Sequence, residues 1–189
     1  ANVQIRAATL DDKFMVYDDF NNKPLTGWIQ SGYNGAQFSQ NSNGIRIIHS
    51  TVPGGFDSIR RTFDSLPEAV LEFDAKIGSE NNNNFSLLME SDGGYNAVGG
   101  LGLAFKASEV MVYNSTINDW QAIGTVPFDS WQHYRIVSMP EWVAVYINDE
   151  LKYRIAGSFQ PRSFIKFSDF GLCGGTVTNY LANVRARAA

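Results

Sequence analysis

Between Ser130 and Ile155 apolar and polar positions alternate with a period of two. Tyr134, Ile136 and Ser138 fall on one side of an extended segment, and His133, Arg135 and Val137 on the other. Met139-Pro140-Glu141 interrupts the run, since proline cannot donate to a central ladder. A second strand follows, with Val143, Val145 and Ile147 alternating against Trp142, Ala144 and Tyr146. Asn148-Asp149 then turns the chain, and Leu151, Tyr153 and Ile155 form a third apolar row. Alternation bounded by turn residues predicts antiparallel strands covered on one face.

The same period recurs upstream. Strands are predicted at Phe14 to Tyr17, Ile45 to His49 and Ser58 to Phe63, the last with Ser58, Arg60 and Thr62 opposite Ile59, Arg61 and Phe63. In Ala69 to Gly78, Leu71, Phe73, Ala75 and Ile77 are expected to face a core, and Glu72, Asp74 and Lys76 to face outward together. Phe85 to Glu90 places Phe85, Leu87 and Met89 inward, so Glu90 is expected on the same face as Glu72 and Asp74. Further strands are predicted at Leu103 to Phe105, Val110 to Tyr113, Trp120 to Ile123, Phe164 to Phe170 and Val177 to Arg187. Ala1 to Leu10 shows no pattern, and the polar segment Gly32 to Gly44 reads as turns, as does Pro53-Gly54-Gly55. Many short strands without an amphipathic helix, repeat or linker predict one all-β domain over 1–189, a two-sheet antiparallel β-sandwich of jelly-roll type.

Composition narrows the function. A chain of 189 residues can bury one large core without staples, and 44% hydrophobic with 18% charged residues is ordinary for a globular protein. A net charge of −4 speaks against a nucleic-acid partner, and no apolar run reaches the length of a membrane span. No signal peptide opens the chain, as expected of a mature or trimmed form. Cys173 is alone, which excludes an intrachain disulfide, and two histidines with one cysteine do not make a zinc cluster. Asn114-Ser115-Thr116 is a glycosylation triplet.

The meander W-x-x-Y-x-I (Trp131, Tyr134, Ile136), then V-x-V-x-I-N-D-x-L (Val143 to Leu151), resembles the late strands of laminin-G-like and concanavalin A-like sandwiches. The stretch Asp18-Asp19-Phe20 to Trp28 resembles the opening of sandwich modules attached to secreted polysaccharide-degrading enzymes. The resemblance implies a secreted, extracellular location, membership of a larger multidomain enzyme, and a core position for Trp131. It also implies a structural calcium site where Asp18 and Asp19 meet an Asp near the last strand. Ala182 stands where that Asp would be, so the alternative is a solvated loop and no cofactor.

Candidate chemistry is limited. Glu72-x-Asp74-x-Lys76 resembles a fragment of the E-x-D-x-E strand of one jelly-roll glycoside hydrolase group, in which the first and third positions do the chemistry. Retaining hydrolysis needs two carboxylates about 5 Å apart. Lys76 occupies the third position, leaving Glu90 as the available second carboxylate. For a lyase, His49, Arg60, Arg61 and His133 are available, but the R-x-E and Tyr-Lys-Gly motifs of jelly-roll alginate lyases are absent, and His133 reads as a packing residue. Aromatics remain: sugar rings stack their C–H faces on Trp and Tyr. Trp120, Trp142, Tyr95 and Tyr33 are expected to be exposed, with Arg60, Glu72, Asp74 and Glu90 orienting the ligand. The expected function is a non-catalytic carbohydrate-binding module or lectin-like domain taking a neutral or mildly acidic polysaccharide. No basic run marks it for sulfated glycans. Two other classes stay open: a jelly-roll hydrolase or polysaccharide lyase, and a laminin G-like domain that binds a protein.

Overall fold

Leu71, Phe73 and Ala75 alternate with Glu72, Asp74 and Lys76, and in the computed structural model the first three are fully buried while the second three are half-exposed. That strand is central to one of two stacked antiparallel sheets. The structure describes residues 15–20, 25–31, 37–41, 44–48, 58–79, 85–91, 100–114, 117–169 and 178–189, with backbone alone at 37–41, 45–48, 85–87 and 169.

The strands are β1 Val16–Asp18, β2 Trp28–Ser31, β3 Gln37–Asn41, β4 Gly44–Ile48, β5 Ser58–Leu66, β6 Ala69–Lys76, β7 Phe85–Ser91 and β8 Leu101–Lys106. They continue as β9 Glu109–Asn114, β10 Asp119–Thr125, β11 Trp131–Met139, β12 Trp142–Ile147, β13 Glu150–Ala156, β14 Arg162–Asp169 and β15 Thr178–Ala188. Sheet A has the order β13-β12-β11-β6-β15-β4-β3, with β1 also pairing β15. Sheet B has the order β10-β9-β8-β7-β14-β5-β2. This is the expected two-sheet antiparallel sandwich, and no helix occurs among the described residues.

The core lies between the sheets. Phe73 of sheet A stacks on Tyr134 at 5.0 Å and meets Phe167 of sheet B edge-on at 5.1 Å, while Phe105 of sheet B meets Tyr134 at 5.2 Å. Each such ring contributes on the order of 2 to 3 kcal/mol by burial, and ring–ring geometry adds to it. Burial of Tyr134 raises its phenol pKa above the ordinary value of 10.0. At the sandwich opening, Asp18 accepts the Phe20 N–H through Oδ1 and the Trp28 indole N–H through Oδ2, both at 2.8 Å. The first bond is an Asx turn that supports Phe20 at φ 54°. Both oxygens of Asp18 therefore serve N–H donors. No group of three or more His, Cys, Asp or Glu that could hold a metal occurs among the described residues.

Three expectations change. Gln37–Asn41, read as part of a turn segment, is strand β3. It is the outermost strand of sheet A on that side, where a polar segment needs no two-period apolar row. β6 and β7, read as sharing a charged face, belong to different sheets, so Glu90 lies across the sandwich from Glu72 and Asp74. Parity assigns a side chain to the inside or the outside of a sheet but does not say which sheet. Trp131, expected in the core from the family resemblance, is 39% exposed and shares the outward parity of His133 and Arg135. Its strand begins one position out of phase with the buried Gln132, Tyr134 and Ile136.

Candidate functional site

The outer face of β11, β6 and β15 is built by register. Trp131, His133 and Arg135 of β11 lie opposite Lys76, Asp74 and Glu72 of β6. From the other side β15 brings Tyr180 to Lys76, Ala182 to Asp74 and Arg185 to Glu72. Three cross-strand rows result: Trp131–Lys76–Tyr180, His133–Asp74–Ala182 and Arg135–Glu72–Arg185. Neighbours one strand apart at such positions are in side-chain contact range.

In the first row the Lys76 ammonium lies 4.1 Å from the Tyr180 ring centre and 5.9 Å from that of Trp131. The two rings meet edge-on at 6.4 Å. In the second row His133 Nδ1 donates to Asp74 Oδ1 at 2.7 Å, because a carboxylate can only accept. Asn183 Nδ2 donates to Asp74 Oδ2 at 2.6 Å. A bulge in β15 between Ala182 and Arg185 makes that contact. Asn183 sits there at φ 51°, a left-handed conformation that Asn tolerates better than most residues. In the third row Arg135 lies 4.2 Å over the ring of Tyr146 on β12, and Arg185 lies 5.4 Å over Tyr17 on β1. Trp142, also on β12, carries Arg154 at 4.5 Å.

The β12–β13 hairpin holds the end of this face. Asn148 and Asp149 both have positive φ, 50° and 63°, as a two-residue type I′ turn requires. Asn148 Oδ1 accepts the His133 N–H at 2.9 Å, and its Nδ2 donates to Gln132 Oε1 at 2.6 Å. The turn residue thereby fixes the first residues of β11, where Trp131 and His133 begin the face.

Of the residues singled out from sequence, Glu72, Asp74 and Trp142 are on the outer face of sheet A. Arg60, Glu90 and Trp120 are on sheet B. Tyr33 and Tyr95 lie outside the described residues. On sheet B, Glu90 is 6% exposed and its Oε2 accepts from Lys166 Nζ at 2.5 Å. Arg60 lies 5.7 Å over Phe164 and, with Ile29, Ser31, Ser58, Lys166 and Ser168, lines a cleft of about 360 Å³. Trp120 packs on Leu88 and Ala104 and meets Tyr113 edge-on at 5.4 Å, so part of its surface is already in use. Sequence reasoning missed Trp131, Tyr180, Arg135, Arg185 and Asn183 as members of one face. Parity could have flagged Trp131, since it shares its side of the strand with His133 and Arg135. Nothing local could have flagged Asn183, whose contact with Asp74 spans 109 residues.

No protein-family model and no curated protein matches the chain. Solved structures do. A structure described as a sialidase matches with a TM-score of 0.75 at 14% identity, covering 93% of this chain and 18% of that one. The cellulose induced protein Cip1 matches with a TM-score of 0.71 at 12% identity, covering 92% and 97%. A β-glucanase of Bacillus licheniformis matches with a TM-score of 0.64 at 15% identity, covering 92% and 98%. The present chain thus spans less than a fifth of the sialidase and nearly all of the other two. These likenesses show the fold, a two-sheet jelly-roll β-sandwich.

Proposed function

We propose that the chain is a non-catalytic carbohydrate-binding domain that works outside the cell, and that a polysaccharide lies across the outer face of β11, β6 and β15. One observation carries this reading. The Trp131 ring is 39% exposed at the head of a sheet face whose neighbours are hydrogen-bonding side chains held in fixed geometry. An exposed indole offers a flat apolar surface for the C–H face of a pyranose. Tyr180 stands across Lys76 from it, and His133, Asp74 and Asn183 lie one row on, within reach of hydroxyls. The names of the fold neighbours refer to cellulose, a glucan and sialic acid chemistry, which fits a sugar partner.

Two features support binding over turnover. The hydrolase-like strand has Lys76 at its third position, and a lysine cannot take the part of the second carboxylate. Glu90, the other acid considered for that part, is on the opposite sheet beside Lys166. Affinity electrophoresis through gels containing a panel of polysaccharides tests the reading. Retardation by at least one glycan is expected, lost in Trp131→Ala and kept in Trp120→Ala, with circular dichroism verifying both folds. Retention of full retardation in a folded Trp131→Ala protein would move the site elsewhere.

A further inference from the structure

The chain is acidic overall, with a net charge of −4, yet the outer face of sheet A is not. Lys76, Arg135, Arg154, Arg185 and Arg187 lie on its strands, while the outward carboxylates of β6 are Glu72 and Asp74, with Asp149 at the rim 3.6 Å from Arg135. Asp74 is occupied by His133 and Asn183. Glu72 is set by register between Arg135 and Arg185. Among the described outward side chains of its strands, cations therefore outnumber carboxylates, with Lys152 and Glu150 of β13 paired to each other at 2.6 Å and Glu68 and Glu141 in turns at the ends of the strands. No basic run marks it in the sequence, because its cations come from β6, β11, β13 and β15.

Four of these five cations share a second property. Lys76 lies on Tyr180 and near Trp131, Arg135 on Tyr146, Arg154 on Trp142 and Arg185 on Tyr17. A guanidinium lying on a ring is held there by the ring quadrupole, and its N–H groups run along its edge. That edge fits a carboxylate or a sulfate, which it can engage with two parallel hydrogen bonds. A neutral sugar needs stacking surfaces and hydroxyl partners and gains little from a row of fixed cations.

We propose that the ligand of this face is a polyanionic glycan, its carboxylate or sulfate groups met by Arg135, Arg185 and Lys76 while Trp131 stacks on a ring. The proposal rests on the carbohydrate-binding reading and narrows it to one charge class. It departs from the expectation of a neutral or mildly acidic ligand.

Isothermal titration calorimetry tests it with three probes: a polygalacturonate, a sulfated galactan and a neutral β-glucan. The expected result is binding of one or both anionic probes and none of the neutral one, with affinity falling as salt rises. Preference for polygalacturonate identifies the carboxylate as the group recognised, and preference for the galactan identifies the sulfate. The double variant Arg135→Gln, Arg185→Gln is expected to lose at least ten-fold in affinity for the preferred probe. Arg135→Lys, which keeps the charge without the fork, should fall between. Binding of the neutral glucan alone, lost in Trp131→Ala and unchanged in the double variant, overturns the charge assignment and leaves the carbohydrate reading intact. Binding of no probe overturns the charge assignment, and retardation in the affinity gels decides the carbohydrate reading separately. Anionic binding that ignores both Trp131→Ala and the arginine variants is non-specific polyelectrolyte adsorption and also overturns the proposal. If a variant does not fold, the probe panel and salt series on the unaltered protein still decide the charge class.

Discussion

Asp18→Ala should be one of the most costly single substitutions on the surface of this protein. Its carboxylate accepts two N–H groups at 2.8 Å, one from the backbone of Phe20 and one from the indole of Trp28. Trp28 is 7% exposed and packs between Phe20, at 5.2 Å, and Phe167, at 6.4 Å. Removal of the acceptor leaves the indole N–H without its partner in a nearly dry position, at a cost of about 1.5 to 3 kcal/mol for a hydrogen bond to a charged group. Loss of the Asx turn at Phe20 adds to this, because the turn supports a left-handed residue that carries a side chain. A total of about 3 kcal/mol follows, or roughly 6 to 12 °C in melting temperature for a domain of this size. Asp18→Asn, which keeps one carbonyl oxygen, should lose about half as much. In a Trp28→Phe background, where the indole donor is gone, Asp18→Ala should cost about 1 to 2 kcal/mol less, a coupling expected of groups in direct contact. Urea unfolding followed by fluorescence and circular dichroism, with and without a chelator, measures all of these. A loss below about 0.5 kcal/mol for Asp18→Ala would refute the hydrogen-bond account. A chelator that reproduced the Asp18→Ala loss in the unaltered protein would show instead that the carboxylate serves a calcium ion.

Gly44 has φ 109°, and a Cβ there would lie 2.2 Å from the Leu181 carbonyl oxygen. Gly44→Ala should therefore destabilise by at least about 2 kcal/mol by thermal melt, since the obstacle is backbone on the paired strand. Asp149→Gly should raise stability by about 0.5 to 1 kcal/mol, because the residue holds φ 63° in a turn that favours glycine there. Asn148→Ala should lower it by about 1 to 2 kcal/mol through its bonds to His133 and Gln132. The Tyr134 phenol pKa is raised in the folded state by burial, so that contribution to stability is whole below the unfolded value near 10 and is lost as pH climbs beyond it. Tyr134→Phe should flatten this alkaline decline. It should also gain about 1 kcal/mol at neutral pH, because the hydroxyl is buried with no hydrogen-bond partner among the described residues.

The sandwich was legible because its strands obey a strict period. β6, β11 and β12 alternate as their residues suggest, and Asn148-Asp149 turns where its composition says it should. β3 was not legible, because an outer strand with the composition Q-F-S-Q-N carries no apolar row. The site was only half legible. Glu72 and Asp74 were correctly set outward, but sheet membership decides their company, and that depends on pairing between strands far apart in the chain. Glu90 has outward parity too and yet lies on the other face. Trp131 was drawn inward by the resemblance, although its phase relative to Tyr134 puts it with the polar residues of its strand.

The placement of β15 between β6 and β4 bears on how this chain reaches its fold. The middle of sheet A is closed by a strand more than one hundred residues downstream of its partner: Asn183 reaches Asp74 across 109 positions. Sheet B repeats the arrangement, with β14 inserted between β7 and β5. During synthesis β5, β6 and β7 therefore emerge with open edges that local partners cannot close. Such non-local pairing predicts slow folding, because loop closure must precede any gain in contacts. It also leaves a window in which apolar strand edges are exposed to other chains. A ribosome-bound chain cut before Arg162 lacks β14, which joins β7 to β5 in sheet B, and β15, which joins β6 to β4 in sheet A, so protease resistance should appear late and abruptly as the chain lengthens.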